Sequence, residues 1–229
     1  VITIFPNIFE GFLSESLLAK AQKPRRLKWS GSRPQASGKP ILTIKLHNLR
    51  KWTADRHQTV DGKPYGGGPG MLLKIEPIFK AVKSLSSYKV HKGKRKVILF
   101  SPRGKKFDQA MAKKWSKLDQ LIFICGRYEG VDARVAEHIA DEVVSIGDYV
   151  LNGGEVAAMA VVEAVSRLIP GFMQKEESFR KADFPQYTKP PIFILKTGKS
   201  KAKSLKLKVP KVLLSGNHRK IKEWRDEHR

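Results

Sequence analysis

Short apolar runs alternate along this chain with apolar residues at helical spacing, the pattern of strand–helix–strand units that build an α/β fold with a mostly parallel sheet. Ile2 to Phe5 predicts a buried strand, and Ile8, Phe9, Phe12, Leu13 and Leu17 then recur on one helical face. Ile41 to Leu46 predicts a further strand. Ile75, Ile78, Phe79 and Val82 mark a helix, and Val97 to Phe100 a strand. Phe107, Met111 and Trp115 lie at i, i+4 and i+8. They put one apolar stripe on a helix that opens near Asp108 and closes with Lys113 and Lys114, the charge order a helix dipole favours. A strand over 121–125, a helix carrying Val131, Val135 and Ile139, and a strand ending near Ile146 complete the series.

From Gly154 to Leu168 the small and apolar residues Val156 to Val162 cover nearly the whole circumference of a helix. Such a helix is buried on several sides, within the fold or against another subunit. Pro170 and Gly171 end it. The periodicity fades over 172–208, which reads as a flexible basic linker: Lys196 to Lys211 holds seven lysines and no acid. Asn217 caps a last helix. The expected organisation is a main α/β domain over 1–171, the linker over 172–208 and a short helical segment over 209–229.

Three Gly-punctuated turns follow neighbouring apolar runs: SPRGK after Phe100, GRYEGVD after Cys125 and SIGDYVLNGGE after Val144. In an open parallel sheet the crevice beyond the strand ends is where small ligands bind. No phosphate-cradling Gly pattern is present, neither G-x-G-x-x-G nor a P-loop. The turns offer backbone donors and acceptors beside Ile146, Tyr149, Val150 and Leu151, a setting that reads an adenine edge while apolar side chains cover its face. The long segment 47–70 ends in PYGGGPG, whose glycines favour close backbone approach.

Charge narrows the partner class. The 229 residues carry 45 Lys and Arg against 21 Asp and Glu, a net charge of +24, which points to a phosphate-rich partner. No apolar stretch has the length of a membrane span and no leader pattern is visible, so a cytoplasmic location is expected. The single cysteine, Cys125, excludes an internal disulfide and reads as a buried thiol. The chain opens at Val1 rather than Met, which leads to the expectation that a few N-terminal residues are missing or processed.

Seven segments, in order, carry a specific resemblance: DRHQTVDGKPYGGGPGM (55–71), SPRGKKFDQ (101–109), CGRYEGVDARV (125–135), SIGDYVLNGGEVAAM (145–159), AVSRLIPG (164–171), FPQYTKPP (184–191) and VLLSGNH (212–218). They resemble the bacterial tRNA (guanine-N1)-methyltransferases of the SPOUT class. The resemblance implies an α/β fold with a parallel sheet, a C-terminal trefoil knot that holds S-adenosylmethionine, and a short helical C-terminal extension. It implies an obligate homodimer with active sites shared between subunits. The partner it implies is tRNA, not DNA or a membrane. The reaction it implies is methylation of N1 of guanosine-37, just 3′ of the anticodon, which helps hold the reading frame.

The cofactor loops of that family fall on Pro102, Gly126, Glu129, Ile146, Gly147, Asp148, Tyr149, Val150, Leu151, Gly153 and Gly154. Arg167 becomes the cation near O6 and Glu177 the general base. The resemblance also implies Mg²⁺ for turnover, although no protein cluster for a metal is readable. Two departures stand out. Glu177 precedes Ser178-Phe179 where Asp is usual, after a shorter loop, and the sequence stops at Arg229 within what resembles the start of a longer helical domain. Two rival readings are a non-catalytic RNA-binding SPOUT protein and a SPOUT methyltransferase acting on another RNA.

Overall fold

The computed structural model describes residues 1–24, 38–86, 90, 93–173, 184–196 and 204–229. Two compact units divide the chain, Val1–Lys175 and Glu176–Arg229.

The first unit is built on a five-stranded, all-parallel sheet. Its strands are β1 (Ile2–Thr3), β2 (His47–Asn48), β5 (Arg95–Lys106), β6 (Gln120–Ile124) and β7 (Glu142–Ser145), in the order β2, β1, β6, β5, β7. A small antiparallel pair, β3 (Asp61–Gly62) and β4 (Leu72–Leu73), stands beside it. Strand alternation assigns the two faces. Ile98, Phe100, Phe123 and Cys125 point into one apolar core, and Val97, Leu99, Ile122 and Ile124 into the other. Helices α1 (Glu10–Ser14), α2 (Ser16–Ala21), α4 (Gln109–Trp115) and α6 (Glu155–Ser166) contribute to the first core; α3 (Ile75–Ser86) and α5 (Ala133–His138) to the second. The sheet is thus covered on both sides, as a parallel sheet requires.

Several expected elements appear where the periodicity put them. Phe107, Met111 and Trp115 all join the first core, and the Asp108 carboxylate caps α4 by accepting from Met111 N–H at 2.7 Å. Three expectations need correction. Residues 41–46 form no ladder: Ile41 N–H donates to the Ala21 carbonyl at the end of α2, and Ile44 N–H to Gln22 Oε1, so only 47–48 pair with β1. The predicted helix over 8–17 is broken into a 3₁₀ turn at Pro6–Phe9 and two short helices, the second opening at Ser16 with a φ of 57°. SPRGK does not end its strand; β5 bulges after Phe100 and re-enters the ladder at Lys105 and Lys106 opposite Val144 and Ser145.

The second unit contains β8 (Ile192–Lys196), β9 (Ser204–Lys208) and α7 (His218–Glu227). Where a structureless basic linker was expected, β8 and β9 pair as an antiparallel hairpin, with Phe193 opposite Leu207 and Leu195 opposite Leu205. The Leu-Lys alternation of 205–208 is a strand signal that the lysine content obscured. Asn217 caps α7 by accepting from Lys220 N–H at 3.1 Å.

Candidate active site

The second and third turns follow the C-terminal ends of β6 and β7, and the first lies in the bulge of β5, the strand between them. Their contacts are mainly backbone to backbone. Gly154 N–H donates to the Gly126 carbonyl at 2.9 Å, and Arg127 bridges Gly153. A side chain at Gly154 would lie 2.8 Å from the Cys125 Cα, so only glycine permits this approach. The first turn joins through the β5 bulge: Phe107 N–H donates to the Ser145 carbonyl at 2.8 Å, and a Cβ at Gly104 would sit 2.4 Å from the Val144 nitrogen.

The third turn presents apolar side chains to the outside. Tyr149 is 54% and Val150 83% exposed, with Leu151 partly so. Ile146 and Gly147 are half-buried and Asp148 is exposed. Ser145 Oγ fixes the turn's start by donating to the Gly147 carbonyl at 2.8 Å and accepting from Gly147 N–H at 3.2 Å. Pro102 is exposed on the β5 bulge and Gly126 is buried under the second turn.

Glu129, also exposed, is tied to the Gly-rich segment. Its N–H donates to the Met71 carbonyl at 3.1 Å, and Leu73 N–H to the Gly130 carbonyl at 3.0 Å. A Cβ at Gly70, where φ is +73°, would lie 2.5 Å from the Glu129 Cγ. PYGGGPG is therefore carried alongside the second turn, with Tyr65 fully exposed on it. Asp132 holds the far end of that turn: it accepts from Arg134 Nε at 2.9 Å and Nη2 at 2.6 Å, and these bonds hold its carboxyl below the usual range.

Over its full length, residues 1–229, the chain matches the family model of the tRNA (Guanine-1)-methyltransferase TrmD. The chain belongs to that family. Among similar proteins, the tRNA (guanine-N(1)-)-methyltransferase of Dictyoglomus turgidum is 47% identical, over 98% of this chain and 82% of its own length. The one from Carboxydothermus hydrogenoformans is 44% identical over 98% of this chain and 79% of its own. Membership makes the chain an enzyme, a methyltransferase of tRNA guanine N1.

Within this methyltransferase Gly126 and Gly154 are in direct contact, Gly153 faces Arg127 beside them, Ile146 to Leu151 lie on the same turn as Gly153 and Gly154, and Pro102 lies on the β5 bulge. Arg167 is not among them. It is exposed at the C-terminal end of α6, whose N-terminal end begins after Gly154. Glu177, Glu176 and Ser178 lie outside the described residues.

The sequence reading missed one group beneath the turns. Glu155 is 1% exposed; its Oε1 accepts from Thr3 Oγ at 2.6 Å and its Oε2 from Arg127 Nε at 2.9 Å. An acid in a helix's first turn ordinarily reads as a solvated partner of the dipole, so only three-dimensional contact reveals its burial. Beside it, desolvation first and the Glu155 charge second push the Cys125 thiol up, which keeps it protonated and inert.

Two cavities, of about 170 and 330 Å³, lie elsewhere, both bordered by Val1, Lys45 and Leu121. Leu121 is near the start of β6, the wrong edge of a parallel sheet for a strand-end ligand site, so the turns remain the stronger candidate. Among the described residues no group of three or more His, Cys, Asp or Glu side chains could hold a metal, and no helix is long and apolar enough to cross a membrane.

Proposed function

We propose that the turns at 101–104, 126–130 and 146–154 hold S-adenosylmethionine, and that a homodimer of this chain methylates N1 of guanosine-37 in cytoplasmic tRNA. The observation that carries this reading is the junction of the second and third turns, Gly154 N–H on the Gly126 carbonyl, beside the exposed Tyr149, Val150 and Leu151. Glycine backbone and an uncovered apolar wall suit an adenosyl group: main-chain groups read the edge of the base and side chains cover its face. The same reading includes a trefoil knot around these turns, which family membership and the tight passage of Gly104 against the Val143–Val144 backbone support.

When bound, S-adenosylmethionine supplies a methyl group already activated on a sulfonium. The protein's part is to take the proton from N1 and to balance the negative charge that develops on O6. Glu177 is the proposed base and Arg167 the proposed cation. Within one subunit the two ends of α6 are separated by its 12 residues, about 18 Å at the α-helical rise. Arg167 is therefore assigned to the cofactor turns of the partner copy. The exposed stripe Val156, Ala160 and Glu163 leading to Arg167 on α6 is the face through which a second copy docks.

Calorimetry with S-adenosylmethionine and mapping of the methylated nucleotide in a tRNA transcript test the reading together. Glu177→Ala abolishes transfer in a single turnover with little change in cofactor affinity, whereas Glu176→Ala is mild. The reverse order moves the base by one residue.

A further inference from the structure

We propose that Glu155 is a positioning residue, the buried acid that fastens the two principal cofactor turns into one rigid surface. The proposal rests on the cofactor reading of those turns. Glu155 begins α6, yet its two oxygens are engaged by partners remote in sequence, Thr3 on β1 and Arg127 on the turn after β6. Thr3 Oγ in turn accepts from Phe5 N–H at 2.9 Å, and the Arg127 guanidinium lies 4.9 Å from the centre of the Phe5 ring. A single carboxylate thus joins the first strand, the second turn and the end of the third.

The same contacts give a physical reason for the triplet Gly153-Gly154-Glu155. A Cβ at Gly153 would fall 2.4 Å from Arg127 Nε and 2.6 Å from Glu155 Oε2, so glycine there makes room for the ion pair. Gly154 makes room for the backbone of Cys125 and Gly126. An acid serving only the helix dipole would sit in solvent and accept replacement by any polar residue. A buried pair, by contrast, adds little net stability over an apolar packing, because both charges give up their hydration. Its consequence is geometric: Arg127 cannot shift without leaving the carboxylate unpaired, so the turn bearing Gly126 and Glu129 is held to the turn bearing Gly153 and Gly154.

The test compares wild type with Glu155→Gln, which preserves shape but sets an amide N–H₂ against one of the two donors. Hydrogen exchange followed by mass spectrometry is expected to show faster exchange in peptides spanning 124–131 and 147–156, with the α3 region unchanged. The dissociation constant for S-adenosylmethionine, measured by calorimetry on folded protein, is expected to rise about tenfold as the site loses its supporting shell. Should Glu155→Gln fail to fold, Arg127→Met serves, since that side chain is 19% exposed and removes the clasp from the solvent side. A merely structural acid lowers the melting temperature and leaves both local exchange and affinity per folded molecule unchanged; that result overturns the proposal. If wild type binds no S-adenosylmethionine, the cofactor reading fails, and the exchange pattern alone decides whether the clasp exists.

Discussion

Gly126 and Gly154 meet backbone to backbone, the N–H of Gly154 on the carbonyl of Gly126 at 2.9 Å, and together with the Arg127–Gly153 bridge this contact draws the turns after β6 and β7 together. Gly154 has a φ of −78°, open to any residue, so the constraint is space rather than torsion. Gly154→Ala must push its methyl into the Cys125 Cα, which is backbone and cannot swing away. We expect a loss of about 1–3 kcal/mol in urea denaturation, the range for overpacking, together with weaker S-adenosylmethionine binding.

Gly104→Ala tests the β5 bulge in the same way. Its added methyl meets the Val144 nitrogen, again backbone, at the point where β5 rejoins β7. A comparable loss of stability is expected. Gly11→Ala, with nothing within 4 Å of the new atom, is the control that should leave the midpoint in place or raise it slightly.

Asp132 gives a pH signature. Its folded pKa is depressed by the hydrogen bonds from Arg134, so its contribution to stability is present above the unfolded carboxylate value and is lost as pH falls through the folded one. Wild type is therefore expected to exceed Asp132→Asn in stability at pH 6, and the difference between them to shrink on acidification below about pH 4, the ordinary carboxylate range. Parallel thermal melts across that range check it; a gap that widens on acidification contradicts the assignment.

The parts of this fold legible in the sequence were those set by a local rule. Phe107, Met111 and Trp115 declared their helix because 3.6-residue spacing depends on nothing distant, and Asp108 and Asn217 declared their caps for the same reason. Residues 41–46 misled because an apolar run specifies burial, not a ladder partner; their hydrogen bonds go instead to Ala21 and Gln22. The pairing of 192–196 with 204–208 was hidden by Lys206 and Lys208, which stand on the face of Ile192 and Ile194 and leave Phe193, Leu195, Leu205 and Leu207 on the other. In the candidate site, the glycine turns are visible in the sequence as turns and the burial of Glu155 is not. Its partner Thr3 lies 152 residues away, a separation no local pattern encodes.

Lys206 and Lys208 sit opposite Ile194 and Ile192 on the exposed hairpin, side by side on one face. If they reach tRNA phosphates, the double replacement by Ala flattens the plot of log affinity against log salt by roughly one to two units. Filter binding between low and moderate KCl measures this. An unchanged slope removes the hairpin from the tRNA-binding surface.

Arg167 and Gly154 stand at opposite ends of α6, so under the proposed shared site the Arg167 of one copy serves the turns of the other. Two single-defect subunits separate the alternatives. One carries Arg167→Ala and intact turns. The other carries Val150→Asp and Leu151→Asp, which place charge on the apolar wall at exposed positions and so spare the core. Each homodimer is expected to be inactive. In a heterodimer purified through two different tags, a shared site pairs the intact turns of one subunit with Arg167 of the other, restoring about half of the wild-type activity from one good site in a symmetric pair. If each subunit instead used its own Arg167, both sites of the heterodimer would carry a defect and no activity would return. Complementation therefore reads out directly whether the length of α6 forces the enzyme to work across its interface.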